Sequence, residues 1–478
     1  MFSLFSRAGH RGRGTARLAA AALVSGLAMT GAIATTGTAH ADDVAKAPGG
    51  ASATLGGLET YETAVIHEGG QDKRVSAGLF KMTVDGGGTL QTYCIDIHNP
   101  TQTDAKYQET PWSGTSLSGN ADAGRIRWIL QNSYPQVNDL ASLASKAGAG
   151  SLTEQEAAAG TQVAIWRYSD KADVDAVSPA AEKLADYLQK SAGLLSEPGA
   201  SLTLSPNAVS GAPGERLGPV TVHTNADAVS MTPPAAAAAN GVKVVDKAGR
   251  PVTTAADGSQ IFFDVPKDAE AGSAALTVQA STTVPVGRAF ASESRSQTQI
   301  LAGSSESTVA ATATANWAKT GPVPALSAQK NCAKGGVDIT AVNKGDEPFT
   351  YTLMGTDYTT PAGASRTVTI PLKEDQAYDF TITGPNGFET RLRGVLDCKT
   401  AAETVAKGDD EGVTPQTAAQ PSPASVGGTG SGSGSDQDLA ATGGSNATPV
   451  IAGIAIVLVL IGGVSVVLVR KKKPSEGQ

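Results

Sequence analysis

Cysteine is scarce in this 478-residue sequence: three residues, against 55 glycines and 25 prolines. That excludes a disulfide-dense scaffold and a Cys-rich zinc or iron–sulfur site. Histidine (five residues) and aromatics (5%) are few, and only 17% of residues are charged. Positive charge is short as well, with 37 Lys/Arg against 45 Asp/Glu. The sequence carries no metal-ligand cluster, no cofactor motif and no basic patch, so nucleic acid has no electrostatic footprint to meet. Gly86-Gly87-Gly88 precedes a strand pattern rather than a helix and reads as a turn, not a phosphate loop.

The ends of the chain carry what the middle lacks. Arg7, Arg11, Arg13 and Arg17 precede an apolar run from Leu18 to about Ile33, and Ala39-His40-Ala41 precedes Asp42. This is the layout of a secretory signal peptide over 1–41, cleaved between Ala41 and Asp42. At the other end, Leu439-Ala440-Ala441-Thr442-Gly443 is followed by the apolar segment 449–469 and by Arg470-Lys471-Lys472-Lys473 in a basic tail, 470–478. The apolar segment is long enough to span about 30 Å of hydrocarbon as a helix, with the cations cytoplasmic. Pentapeptide, helix and cations in this order resemble the sorting signal of sortase substrates. The resemblance implies cleavage between Thr442 and Gly443 and transfer to a cell-wall precursor. The alternative is a single membrane helix that is retained. Removing four arginines at one end, and four cations and one acid at the other, leaves 29 Lys/Arg and 44 Asp/Glu, a formal charge of −15.

Between these ends the sequence reads as several domains. Residues 42–199 mix strand alternation with helix periodicity, an α+β pattern. Residues 200–323 contain short β-prone runs, at Ser201–Leu204, Val220–His223, Val242–Val245, Gln260–Val265 and Ala274–Ser281, separated by Gly, Pro and Asp. That pattern predicts an Ig-like sandwich. Residues 324–399 predict a smaller β domain, with strands at Gly336–Val342, Phe349–Met354, Ser365–Ile370 and Ala377–Ile382. Residues 400–448 are rich in Thr, Ala, Pro, Gly and Ser and predict a disordered stalk. Cys332 and Cys398 bracket the last β unit, so a disulfide between them is the natural pairing. In the chain-entropy model a loop of that length is worth roughly 4 kcal/mol. Cys94 is then left over.

Leu90 to Ile97 reads as a strand, with Thr92, Cys94 and Asp96 on one face and Tyr93, Ile95 and Ile97 on the other. A capping box, Thr153 with Glu156, opens a helix through Ala157 to Tyr168 and places Gln162 on the face of Ile165 and Trp166. Tyr93-Cys94-Ile95-Asp96, followed 65 to 72 residues later by Thr161-Gln162-Val163-Ala164-Ile165-Trp166, resembles the paired signatures of bacterial Cys-Gln thioester domains, including their Thr-Gln-x-Ala element. The resemblance implies an internal thioester between Cys94 and Gln162. It also implies a wall-anchored adhesin that acylates an amine on its target, typically a protein lysine, and not an enzyme. Asp96 is a candidate for assisting proton transfer, and Trp166 for shielding the bond from water.

Two other readings stay open. Cys94 is an inert core residue of a wall stalk, or it pairs with His98 or His67 in a hydrolase. Against the second, His98 lies about 13 Å along an extended strand from Cys94. The sequence predicts a monomer with sortase, a wall precursor and an amine-bearing surface as partners.

Overall fold

The computed structural model describes residues 49–233, 238, 241–385 and 388–399. The expected signal peptide (1–41) with its Ala41/Asp42 cleavage point lies outside them. So do the stalk 400–448 with the motif Leu439–Gly443, the segment 449–469 and the tail 470–478. Among the described residues no helix is long and apolar enough to cross a membrane.

The first unit is built on a seven-stranded sheet. β1 (Ser52–Glu68) and β2 (Gln71–Val84) form a long antiparallel hairpin. Its two-residue turn is Gly69-Gly70, with φ of 60° and 77°, the positive values that a turn matching strand twist requires. β3 (Thr89–Cys94), β4 (Lys106–Thr110) and β5 (Val174–Ala176) come from the same part of the chain. The remaining two strands, Ala289–Ser292 and Gln299–Ser304, come from far downstream and sit between β4 and β3. The sheet therefore takes strands from beyond the expected boundary at 199. Because β1 also pairs with β2, the strands from β2 round to β1 close into a ring, with β5 added beside β1.

Alternation assigns the two faces of this sheet to two cores. Tyr93, Ile300 and Ala302 join a core with α1 (Ala123–Asn132), α3 (Glu154–Ser169) and α4 (Pro179–Ser191), and Leu143 of α2 (Leu140–Ala147) also enters it. Leu55, Met82, Leu90, Phe290 and Leu301 join the core of the middle unit. That unit has a four-stranded and a five-stranded sheet, and each expected run in 200–323 falls on one of their strands: Leu202–Ser205, Arg216–Thr224, Lys243–Asp246, Gln260–Asp264 and Gly272–Thr283. The chain leaves the middle unit after Gly272–Thr283, adds its two strands to the first sheet, and returns as Glu306–Trp317 to pair with Gly272–Thr283.

The third unit has a three-stranded sheet, Pro324–Asn331, Gly336–Asn343 and Ser365–Pro371, and two hairpins, Phe349–Leu353 with Thr356–Thr360 and Gln376–Thr383 with Glu389–Leu396. Val337, Ile339, Phe349, Tyr351 and Ile382 fill its core. Cys332 and Cys398 are disulfide-bonded, and Cys94 is a free, buried cysteine. All three cores lie in one compact unit.

Candidate functional site

Cys94 is the last residue of β3, and in the antiparallel ladder it stands directly opposite Gln299. Opposed residues project from the same face with Cβ atoms about 5 Å apart, so the backbone register alone brings these side chains together. Gln299 Nε2 lies 3.1 Å from Cys94 Sγ. The other end of its carboxamide is held by Thr92, whose hydroxyl donates to Gln299 Oε1 at 3.0 Å. Thr101 Oγ1 is 4.0 Å from the sulfur. Both Gln299 and Thr92 are fully buried.

Gln162 reaches the same residue from the helix side. The capping box forms as expected: Glu156 N–H donates to Thr153 Oγ1 at 3.1 Å and Thr153 N–H donates to Glu156 Oε2 at 2.9 Å. Two residues before Gln162, Gly160 packs against α4 so closely that a Cβ there would lie 2.5 Å from Ala181 O. The Gln162 carboxamide contacts the main chain of Cys94. Cys94 N–H donates to Oε1 at 3.0 Å, and Nε2 donates to Cys94 O at 2.9 Å. The β2–β3 ladder ends at the Phe80–Thr92 pair. Beyond it, a primary carboxamide, which has the shape of a peptide group, takes the place of a strand neighbour and satisfies the edge of β3. Gln162 is thus beside Cys94, while the carboxamide in contact with the sulfur is that of Gln299.

The surroundings are buried and acidic. Burial pushes the Cys94 thiol up to about 12, against the hydrogen bonds from Gln299 and Thr101, and the charges of Asp96 and Asp170 push it further up. Asp96 lies just past the end of β3, fully buried. Burial, and then the charge of Asp397, push its carboxyl up to about 8, and the amide of Asn99 works against them. Asp96 Oδ1 is a buried atom without a hydrogen-bond partner. Burial pushes Asp170 up to about 6, and its Oδ1 accepts from Ile97 N–H at 2.9 Å. Trp166 is buried in the helix-side core, with no partner for Nε1. Tyr93, on the same core, donates its hydroxyl to Tyr134 O at 2.8 Å. The histidines are placed elsewhere: His98 is exposed, and the ring of His67 sits between Asp72 at 2.7 Å and Asp175 at 3.3 Å.

The segment before Gln299 is stitched to the turn after Cys94. Ile95 N–H donates to Thr298 O at 3.1 Å, Gln297 N–H to Pro100 O at 3.1 Å, and Thr101 Oγ1 to Gln297 Oε1 at 2.8 Å. Sequence reasoning missed Gln299 because its neighbourhood with Cys94 arises only from sheet topology, 205 residues apart. A trace of it is a polar run, Ser296 to Thr298, turning into an apolar strand at Gln299.

Comparison with known proteins places this region. No curated protein matches the chain. Residues 322–395 match the family described as bacterial phospholipase C, C-terminal domain. Among solved structures, the Bacillus anthracis TIE protein is 16% identical over 73% of this chain, with a TM-score of 0.26, and the chain spans 64% of its length. The thioester domain of the Enterococcus faecium TIE86 protein is 17% identical over 56% of this chain and 97% of its own, with a TM-score of 0.23. Residues 91–193, the stretch that holds Cys94, Asp96, Gln162 and Trp166, match the family described as thioester domain.

Proposed function

We propose that Cys94 and Gln299 form an internal thioester through which this chain acylates an amine on a target surface. The observation that carries this reading is the 3.1 Å approach of the Gln299 carboxamide nitrogen to Cys94 Sγ, from directly across the ladder. In the bond-forming step Sγ attacks Cδ of Gln299, the Cδ–Nε2 bond breaks, and nitrogen leaves as ammonia carrying the thiol proton. A thiol held up to about 12 supplies little thiolate, so alignment supplies the driving force as effective concentration. In the second step the amine nitrogen attacks Cδ, the C–S bond breaks, and an amine proton passes to sulfur, leaving an amide at Gln299. Asp96, with a free Oδ1, is the proton relay in both steps, and Trp166 helps exclude water. Gln162 holds the end of β3 in place.

In this reading the chain is a secreted, wall-anchored adhesin and a single-turnover bond former rather than an enzyme. The middle unit is an Ig-like spacer, 400–448 is a flexible stalk, and sortase joins Thr442 to a wall precursor. A protein lysine is the amine and the chain acts as a monomer. A second reading, with Gln162 as the acyl donor, draws on its own contact with Cys94.

Intact mass and peptide mapping of the secreted protein test both readings. The protein should weigh one ammonia less than its sequence and take up methylamine at Gln299. Cys94→Ala and Gln299→Ala should each abolish both effects. A methylamide on Gln162 instead would move the bond to that residue, and an unmodified mass with Cys94 open to alkylation would sink the thioester altogether.

A further inference from the structure

The third unit reaches into the site. The loop before Gln299 is held from that side at three points: Arg393 pairs with Glu293 at 3.5 Å, Arg295 Nε donates to Asp375 O at 2.9 Å, and Thr298 Oγ1 donates to Asp397 Oδ2. Thr298 has a foot on each side, since its carbonyl accepts from Ile95 N–H of the Cys94 turn while its hydroxyl binds Asp397. Thr298 is fully buried and Asp397 is 9% exposed.

Asp397 is itself rigidly mounted. It follows the strand Glu389–Leu396 and precedes Cys398, which is bonded to Cys332. The main chain on either side is fastened to the turn at 374–375: Asp375 N–H donates to Leu396 O at 2.8 Å, and Glu374 Oε1 accepts from Lys399 N–H at 2.9 Å and from Cys398 N–H. Burying a carboxylate costs free energy unless it is used. Burial pushes Asp397 up to about 6, against the Thr298 hydrogen bond and the charge of Lys330, while Asp375 and Glu374 push the same way as burial.

We infer that Asp397 is a positioning residue of the thioester site, contributed by the third unit, which holds Thr298 and through it the register of Gln299 against Cys94. This rests on Gln299 being the acyl donor. The disulfide then has a role beyond closing a loop, because it anchors the residue that aligns the reacting pair. A domain that carried only the match at 91–193 would lack both the acyl donor and its clamp.

The test is the ratio of bonded to unbonded full-length chain, read by intact mass, in a double-mutant cycle. Asp397→Ala and Thr298→Val should each lower that ratio about tenfold, as expected for losing a hydrogen bond to a charged group. The double variant should fall by the same factor of about ten rather than a hundred, because both changes remove one interaction. Asp397→Asn and Thr298→Ser, which keep an acceptor and a hydroxyl, should restore the wild-type ratio, a rescue that general destabilisation does not produce. Singles that match wild type, additive effects in the double variant, or no rescue would overturn the inference. Wild-type chain at its unmodified mass, or labelled away from Gln299, would instead overturn the thioester assignment beneath it.

Discussion

Three carboxyls around Cys94, those of Asp96, Asp170 and Asp397, are raised by burial to about 8, 6 and 6. A carboxyl raised on folding keeps its proton in the folded chain while the unfolded chain, with a carboxyl near about 4, has already lost it. Its contribution to stability is therefore whole below about pH 4 and lost as pH climbs to the folded value. For Asp96 the loss runs to pH 8. Thermal unfolding of the Cys94→Ala chain should show a midpoint that falls between pH 5 and pH 8. Asp96→Asn should flatten that slope, and an unchanged slope would mean that Asp96 is ionised in the folded chain. The sequence made Cys94, Asp96 and Gln162 visible as residues, since strand alternation and a capping box orient side chains locally. The burial that raises Asp96, and after it the charge of Asp397, were not visible, because both arise only when distant segments pack around it.

Elements with a strong local signal were legible. The helix opened by Thr153 and Glu156 runs over Glu154–Ser169, and the expected β runs downstream of residue 200 fall on observed strands. What local pattern does not encode is the partner of a strand: Gln299–Ser304 has the apolar character of a sandwich strand yet pairs with β3. The seam between α3 and α4 is equally invisible in sequence, although it places Gln162. There Ala181 O and Leu184 Cβ would lie 2.5 and 3.1 Å from a Cβ at residue 160. Gly160→Ala should force the helices apart and cost about 1–3 kcal/mol, the usual penalty of overpacking. Because Gln162 lies half a turn further on, the variant should also carry less thioester by intact mass. A stable, fully bonded Gly160→Ala chain would show that this seam does not govern the site.

At the scale of the molecule, a buried ion pair of the first sheet, Glu109 with Arg288, also holds the chain entering the second unit. Glu109 Oε1 accepts from Arg288 Nε and from Ser201 N–H, each at 2.9 Å, and Glu109 Oε2 accepts from Ala51 N–H at 3.1 Å. Arg288 Nη1 also pairs with Glu197 at 2.7 Å. Arg288→Ala would leave Glu109 buried without its cation, which should cost about 3–5 kcal/mol. Calorimetry should find Glu109→Gln/Arg288→Met milder than the single change, and equal losses would mean that the charges are already compensated. The strand that carries Gln299 leaves the middle unit and returns to it, so Cys94 and Gln299 are separated by nearly all of that unit's sequence. During synthesis the amino-terminal part is made first, and the Cys94 thiol is without Gln299, its partner in the proposed bond, until some two hundred further residues have followed. The order of synthesis thus acts as a timer on the proposed bond, whose sulfur has no acyl group opposite it until the middle unit has been made.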